Sequence, residues 1–301
     1  MSVVFIQVLI LFAFALVGFA LCKARVIESS SSKFLSTLVV WVFLPATTFN
    51  SFSTNFTVKY ITEKYDIILT SAVATLVIMF LGLFIAKFLS RDSYRRAVYA
   101  YSITMPNSGY MGLPLTQAIF GPAMLINVLI FALPLNIYLY TYGYCSLIKQ
   151  KLSFKKLLNP PMLAIVLGAI VGLSGIRLPE FATDFLSTAA APMGPCAMLI
   201  LGMVLSEYKF KRLLKNPVNY LVSLIRLVVV PAIFVLLFKL LGLQNVIMPA
   251  LIVYSMPCGL NTVVFPKMVN EDCETGAALT LISTTLSMAT IPLMLMLFGS
   301  N

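Results

Sequence analysis

Apolar runs of about 20 residues recur along the chain, separated by short segments that hold most of the basic residues. A run of that length suits a helix crossing a ~30 Å hydrocarbon layer. Ten such spans are predicted, at roughly 3–22, 34–53, 66–88, 95–120, 123–147, 161–176, 184–206, 217–240, 244–268 and 275–298. The first has no positively charged lead of the signal-peptide kind and is long enough to span, so it reads as a retained helix. The predicted fold class is an all-α integral membrane protein.

Two of these spans interrupt themselves. The fourth contains YSITMPNSGYMGLPLTQ, residues 101–117, and the ninth contains YSMPCGLNTVVFPKMV, residues 254–269. Met-Pro occurs at 105–106 and again at 256–257, an offset of 151, and FLST begins at Phe34 and at Phe185 with the same offset. A shared offset predicts two related halves, 1–150 and 151–301, of five spans each. Five is odd, so the second half starts from the opposite side of the membrane, and the halves form an inverted repeat of the kind found in secondary transporters. The broken fourth and ninth helices then cross near the midplane.

Proline removes an N–H donor, so the carbonyls of Ser102 and Val253 are expected to lose their helical partners. Gly109 and Gly259 are expected to permit backbone geometry that other residues resist. Freed groups cost several kcal/mol each in hydrocarbon and are tolerated where protein or a watered cavity receives them. Free N–H groups of the half-helices could face an anion there. The alternative is a pair of proline kinks with no ligand, since Pro45, Pro134, Pro231 and Pro292 also fall inside spans.

Composition agrees with the pattern: 60% of the residues are hydrophobic and 10% charged. That excludes a soluble enzyme built on a large core. The net charge of +11 does not indicate nucleic acid, because the basic residues cluster between spans. Sixteen lie in the odd-numbered loops and four in the even-numbered ones. The odd loops are therefore expected to be cytoplasmic, with both termini outside the cell (inner) membrane. There is no histidine, and Cys22, Cys145, Cys196, Cys258 and Cys273 form no CxxC pair, so no metal, cofactor or disulfide framework is expected. All ten acidic residues fall in loops or at span ends, which disfavours a proton antiporter built on a buried carboxylate. Sodium coupling through carbonyl and hydroxyl oxygens stays open.

Asn107 follows the first break, and Asn261 lies four residues after the second. Their amides offer donors and an acceptor to a carboxylate or amide on a small solute, or else to the broken backbone. Ser108, Thr104, Ser255 and Thr262 are weaker candidates, because helical Ser and Thr often bond their own backbone. Arg226 lies nine residues past Pro217, about 14 Å along the helix. It can attract an anion, brace freed carbonyls, or snorkel. Gln7, Asn50, Gln117 and Asn136 are assigned to helix–helix contacts. Glu271, Asp272 and Glu274 read as an acidic helix start, and Ser283, Thr284, Thr285 and Ser287 as cavity lining or helix glue.

PNSGYMGLPL, residues 106–115, resembles a signature of the auxin efflux carrier family. Residues 254–269 and 280–295 look like that family's ninth and tenth helices, and FLPA at 43–46 and the stretch 186–205 like its second and seventh. The resemblance implies a scaffold domain from helices 1, 2, 6 and 7 and a transport domain from helices 3–5 and 8–10, moving elevator-fashion. It implies crossing prolines at Pro106 and Pro257 and substrate contact by Asn107 and Asn261. It also implies organic anions as cargo and a homodimer through the scaffold helices. The short loop between helices five and six points to a compact prokaryotic member and away from assuming auxin. The candidate substrate-binding set is Pro106, Asn107, Ser108, Gly109, Pro257, Gly259, Asn261, Thr262 and Arg226. The rival functions are a sodium-coupled symporter of the bile-acid-transporter type and a membrane ligand sensor. No nucleophile–base pair or metal cluster suggests an enzyme.

Overall fold

The computed structural model describes residues 2–149, 158–268 and 273–299, and all regular structure among them is helical. In chain order the helices are α1 (Ser2–Lys23), α2 (Ser31–Asn55), α3 (Val58–Leu89), α4 (Ser93–Thr104), α5 (108–120) and α6 (Pro122–Leu147). The second half holds α7 (Pro160–Ser174), α8 (Glu180–Leu205), α9 (Pro217–Leu240), α10 (Gln244–Tyr254), α11 (Asn261–Met268) and α12 (Glu274–Phe298). Seven of them, α1, α2, α3, α6, α8, α9 and α12, are long and apolar enough to cross a membrane. α7 and α10 are apolar but shorter.

The predicted fourth and ninth spans are each two helices, α4 with α5 and α10 with α11. The third helix starts eight residues earlier than its apolar run. Thr57 caps it by accepting from the Tyr60 N–H at 3.1 Å, and the helix bends at Lys64 (φ −128°, ψ 21°) before entering the run. Polar links hold this first stretch in place: Tyr60 Oη donates to Asn127 of α6 at 2.7 Å, and Asn245 of α10 donates to Asp66 at 3.0 Å. Asp92, Asn159 and Asn216 cap α4, α7 and α9 in the same way, the last two with proline as the next residue.

Three helices widen to i→i+5 spacing just before an internal proline: Val39–Phe43 before Pro45, Ser108–Gly112 before Pro114, and Ile225–Val229 before Pro231. The proline ring clashes with the carbonyl four residues back and offers it no N–H, and one wider turn relieves both. The helices therefore continue through these prolines.

α1 lies along the second half of α8, where Gly202 meets the Ala15 carbonyl and Gly18 meets the Leu199 backbone. The second half of α2 lies along α7, where Gly168 and Gly172 meet the Phe49 and Phe52 backbone. Small residues let backbones approach closely, the main route to helix packing where lipid is as apolar as the side chains. Arg212, before α9, forms a two-point ion pair with Glu274 of α12 at 2.7 and 2.8 Å. Glu271 and Asp272 of the acidic cluster lie outside the described residues, as do Lys151, Lys155 and Lys156 of the fifth loop.

Gly202→Val should push α1 off α8 and cost about 1–3 kcal/mol. Gly109→Ala should be neutral, since a Cβ there meets nothing within 4 Å. Melting temperatures of the two variants in detergent micelles check the contrast.

Candidate functional site

The two interruptions meet. The Asn107 N–H donates to the Pro257 carbonyl at 2.8 Å, and the Gly259 N–H donates to the Met105 carbonyl at 3.2 Å. Pro106 and Cys258 thus form a minimal antiparallel bridge, the one such bridge among the described residues. α4 ends because Met105 turns extended (φ −98°, ψ 112°) ahead of Pro106, as a residue before proline is biased to do. The Cys258 N–H is taken by the Ser283 hydroxyl of α12 at 3.0 Å. Each break thereby supplies partners that the other lacks, and α12 supplies one more.

Arg226 lies beneath this crossing and is fully buried. Its Nε donates to the Met256 carbonyl at 3.2 Å, Nη1 to Ile103 at 3.1 Å and Nη2 to Val253 at 3.2 Å. The guanidinium carbon lies 5.6 Å from the centre of the Tyr254 ring, within cation–π range. Among the described residues it forms no ion pair. Of the roles open to it in the sequence, the structure assigns Arg226 the brace. The Val253 carbonyl, expected to be freed by Pro257, is one of its acceptors. On the first segment the acceptor is Ile103, next to the expected Ser102. The guanidinium fork suits this task, since its fixed donors reach three carbonyls on two segments at once. The positive charge stays in the membrane, answered by carbonyl dipoles.

The other candidates divide. Thr262 is occupied locally, its hydroxyl donating to the Gly259 carbonyl at 2.9 Å. Gly109 and Gly259 do not take the left-handed conformation, which is confined to Gly121, Gly175 and Gly242 among the described glycines. The extended turn at Met105–Pro106 makes the first break, so the expectation of special glycine geometry does not hold. Ser108 and Gly109 face a chamber of about 30 Å³ shared with Thr48, Asn136 and Tyr140, space for water and too small for an organic solute. Asn136, assigned to helix contact, therefore lines a space beside the crossing.

Asn107 is the anomaly. It is 2% exposed, and neither its amide nitrogen nor its amide oxygen has a hydrogen-bond partner. Ser102 and Ser255, each a few residues before a proline, are buried with unpartnered hydroxyls as well. Tyr101 is fully buried, and its hydroxyl lies beside the half-buried Asn261 without a hydrogen bond of good geometry to any group. Buried polar atoms are nearly always paired, so unpaired ones on both broken segments set this region apart. Tyr101 was not foreseen. An aromatic residue in an apolar run gives no sign of facing a crossing, although a phenol placed four residues before Met-Pro is a usable signal.

Arg226→Leu should leave three carbonyls without donors, at a cost of about 1–3 kcal/mol for each group left unpaired. Arg226→Lys should recover part of that loss, because an ammonium lacks the planar fork. The fraction of monodisperse protein after extraction and heating measures both.

A family profile described as "Membrane transport protein" matches residues 3–156 and 145–295. The chain is 25% identical to an uncharacterized transporter of Methanocaldococcus jannaschii, an alignment covering 95% of this chain and 96% of that protein. It is 27% identical to a Rhizobium meliloti protein named "Putative malonate transporter", covering 97% of this chain and 96% of that one. It is 28% identical to an uncharacterized transporter of Methanothermobacter thermautotrophicus over 67% of this chain and 68% of that protein. A multi-pass helical chain whose two broken segments meet in a polar crossing, and whose sequence matches this profile almost end to end, belongs to the membrane transport protein family, the auxin efflux carriers.

Proposed function

We propose that this protein is a secondary carrier of small organic anions, such as mono- or dicarboxylates, in the cell membrane. The observation that carries the reading is Asn107, a buried carboxamide with both polar atoms unpartnered, beside a crossing that holds a fixed guanidinium charge. A carboxylate placed there would accept from the Asn107 and Asn261 amides. It would also sit in the positive field of Arg226 and of the N-terminal ends of α5 and α11. Pro106 and Pro257 hold the main chain open, and Ser108, Gly109 and Gly259 flank the crossing. Thr262 and Arg226 serve this site by holding its backbone.

In this reading the chain crosses the membrane ten times, in two inverted halves. Support comes from reciprocal packing: the first span lies along the seventh, and the second along the sixth, as an exchange of halves requires. The bridge between the breaks at Pro106 and Cys258 fits the same exchange. α1, α2, α7 and α8 form the scaffold, and the remaining helices carry the crossing past it between the two faces. The loop charge bias supports a placement of both termini outside. The malonate transporter named among the relatives favours carboxylates as the class.

Proteoliposome uptake of radiolabelled mono- and dicarboxylates tests this. Asn107→Ala should lower uptake of the best substrate about tenfold or more, the loss of roughly one charge-assisted hydrogen bond, while inserting and extracting normally. Wild-type uptake in Asn107→Ala removes that residue from the site, and absence of carboxylate flux in the native protein removes the function.

A further inference from the structure

The brace at the crossing is one-sided. The offset of 151 that relates the two Met-Pro breaks also pairs Arg226 of α9 with Thr75 of α3. Applied to the acceptors of Arg226, it pairs the Val253 carbonyl with that of Ser102, Met256 with Met105, and Ile103 with Tyr254. On the Thr75 side no guanidinium arrives. Thr75 is 5% exposed, and its hydroxyl has no partner. The Met105 carbonyl has the Gly259 N–H. The Ser102 and Tyr254 carbonyls receive no hydrogen bond among the described residues. Pro106 and Pro257 have no N–H to give them, and the Cys258 N–H goes to Ser283. The Ser102 hydroxyl is buried and unpartnered as well. α3 reaches this place: it packs along α4 and touches α10. The Ile78 carbonyl, three residues after Thr75, accepts from the Thr104 hydroxyl at 3.4 Å.

We propose that a sodium ion binds where the second guanidinium is missing, held by the Thr75 hydroxyl and the Ser102 and Tyr254 carbonyls. Carbonyl and hydroxyl oxygens can replace the hydration shell of a monovalent cation. Sites for divalent ions of this kind add carboxylates, and every acidic residue of the chain lies in a loop or at a span end. The ion shares the crossing with Arg226, so it meets a like charge unless an anion binds with it. Cation and anion then raise each other's affinity, which is the condition for coupling a carrier to a sodium gradient. The inference deepens the carrier reading by naming the coupling ion, and it rests on that reading for its role in transport.

Equilibrium binding of radiolabelled sodium to the purified full-length protein in nanodiscs, with choline holding the ionic strength constant, tests it. A single displaceable ion per chain is expected. Thr75→Val keeps the side-chain shape without the hydroxyl and should weaken binding about fivefold to tenfold, while Thr75→Ser should keep it, with melting temperature as the check on folding. In proteoliposomes, replacing sodium by choline should lower carboxylate uptake at least about fivefold. Native protein that binds no displaceable sodium, its place taken by water, overturns the proposal. So does folded Thr75→Val that binds sodium as tightly as Thr75→Ser. Should Thr75→Val fail to fold, Thr75→Ala takes its place, and undiminished binding there overturns the proposal equally. Carboxylate uptake indifferent to sodium overturns the coupling and leaves the carrier reading standing. Sodium binding that depends on Thr75, without carboxylate flux, would sink the carrier reading and leave the site.

Discussion

Everything in this molecule hangs on the pairing of two broken main chains inside a medium that offers them no other partner. A helix broken in hydrocarbon exposes groups that water cannot reach. Here the Asn107 N–H meets the Pro257 carbonyl, and the Gly259 N–H meets the Met105 carbonyl, so each interruption completes the other. Neither break would be tolerable alone. The pairing explains why two Met-Pro interruptions occur at one offset, and why the segments run in opposite directions where they touch.

The bridge is short, and it leaves carbonyls over. Arg226 takes three of them with one side chain, tying α9 to both broken segments. A carboxylate could not do this, since it brings acceptors to a place that already has too many. The choice of a cation follows from backbone bookkeeping, and its field at the crossing is what the proposed anion site draws on. The amide of Asn107 stands apart from this economy, buried but bonded to nothing. A buried amide with neither atom bonded is unusual, and the proposed function rests on it.

Much of this was legible in the residues. The apolar runs located the helices, and the prolines located both breaks, because these signals are local. The start of α3 was missed because Lys59, Glu63 and Lys64 interrupt the hydropathy while Thr57 still caps a helix there. Gly109 and Gly259 were given a conformational task that the extended residue before Pro106 performs. The partners of Arg226 come from positions 123, 27 and 30 residues away, a distance across which no periodicity speaks. Gln7, Asn50 and Gln117, expected at helix contacts, line a space of about 520 Å³ between α1, α2, α5, α6 and α8. A polar residue in an apolar run looks the same whether it faces a neighbouring helix or a space between helices.

The brace also bears on how the chain is made. Ribosomal synthesis delivers α9 before α10, so Arg226 emerges when Ile103 exists but Val253 and Met256 do not. Until those residues follow, the charge has one main-chain acceptor out of three and no carboxylate to replace the others. α9 therefore has reason to linger at the translocation channel or the headgroup layer, and to settle into lipid together with α10. Entering the bilayer together with α10 would give the charge all three of its acceptors at once.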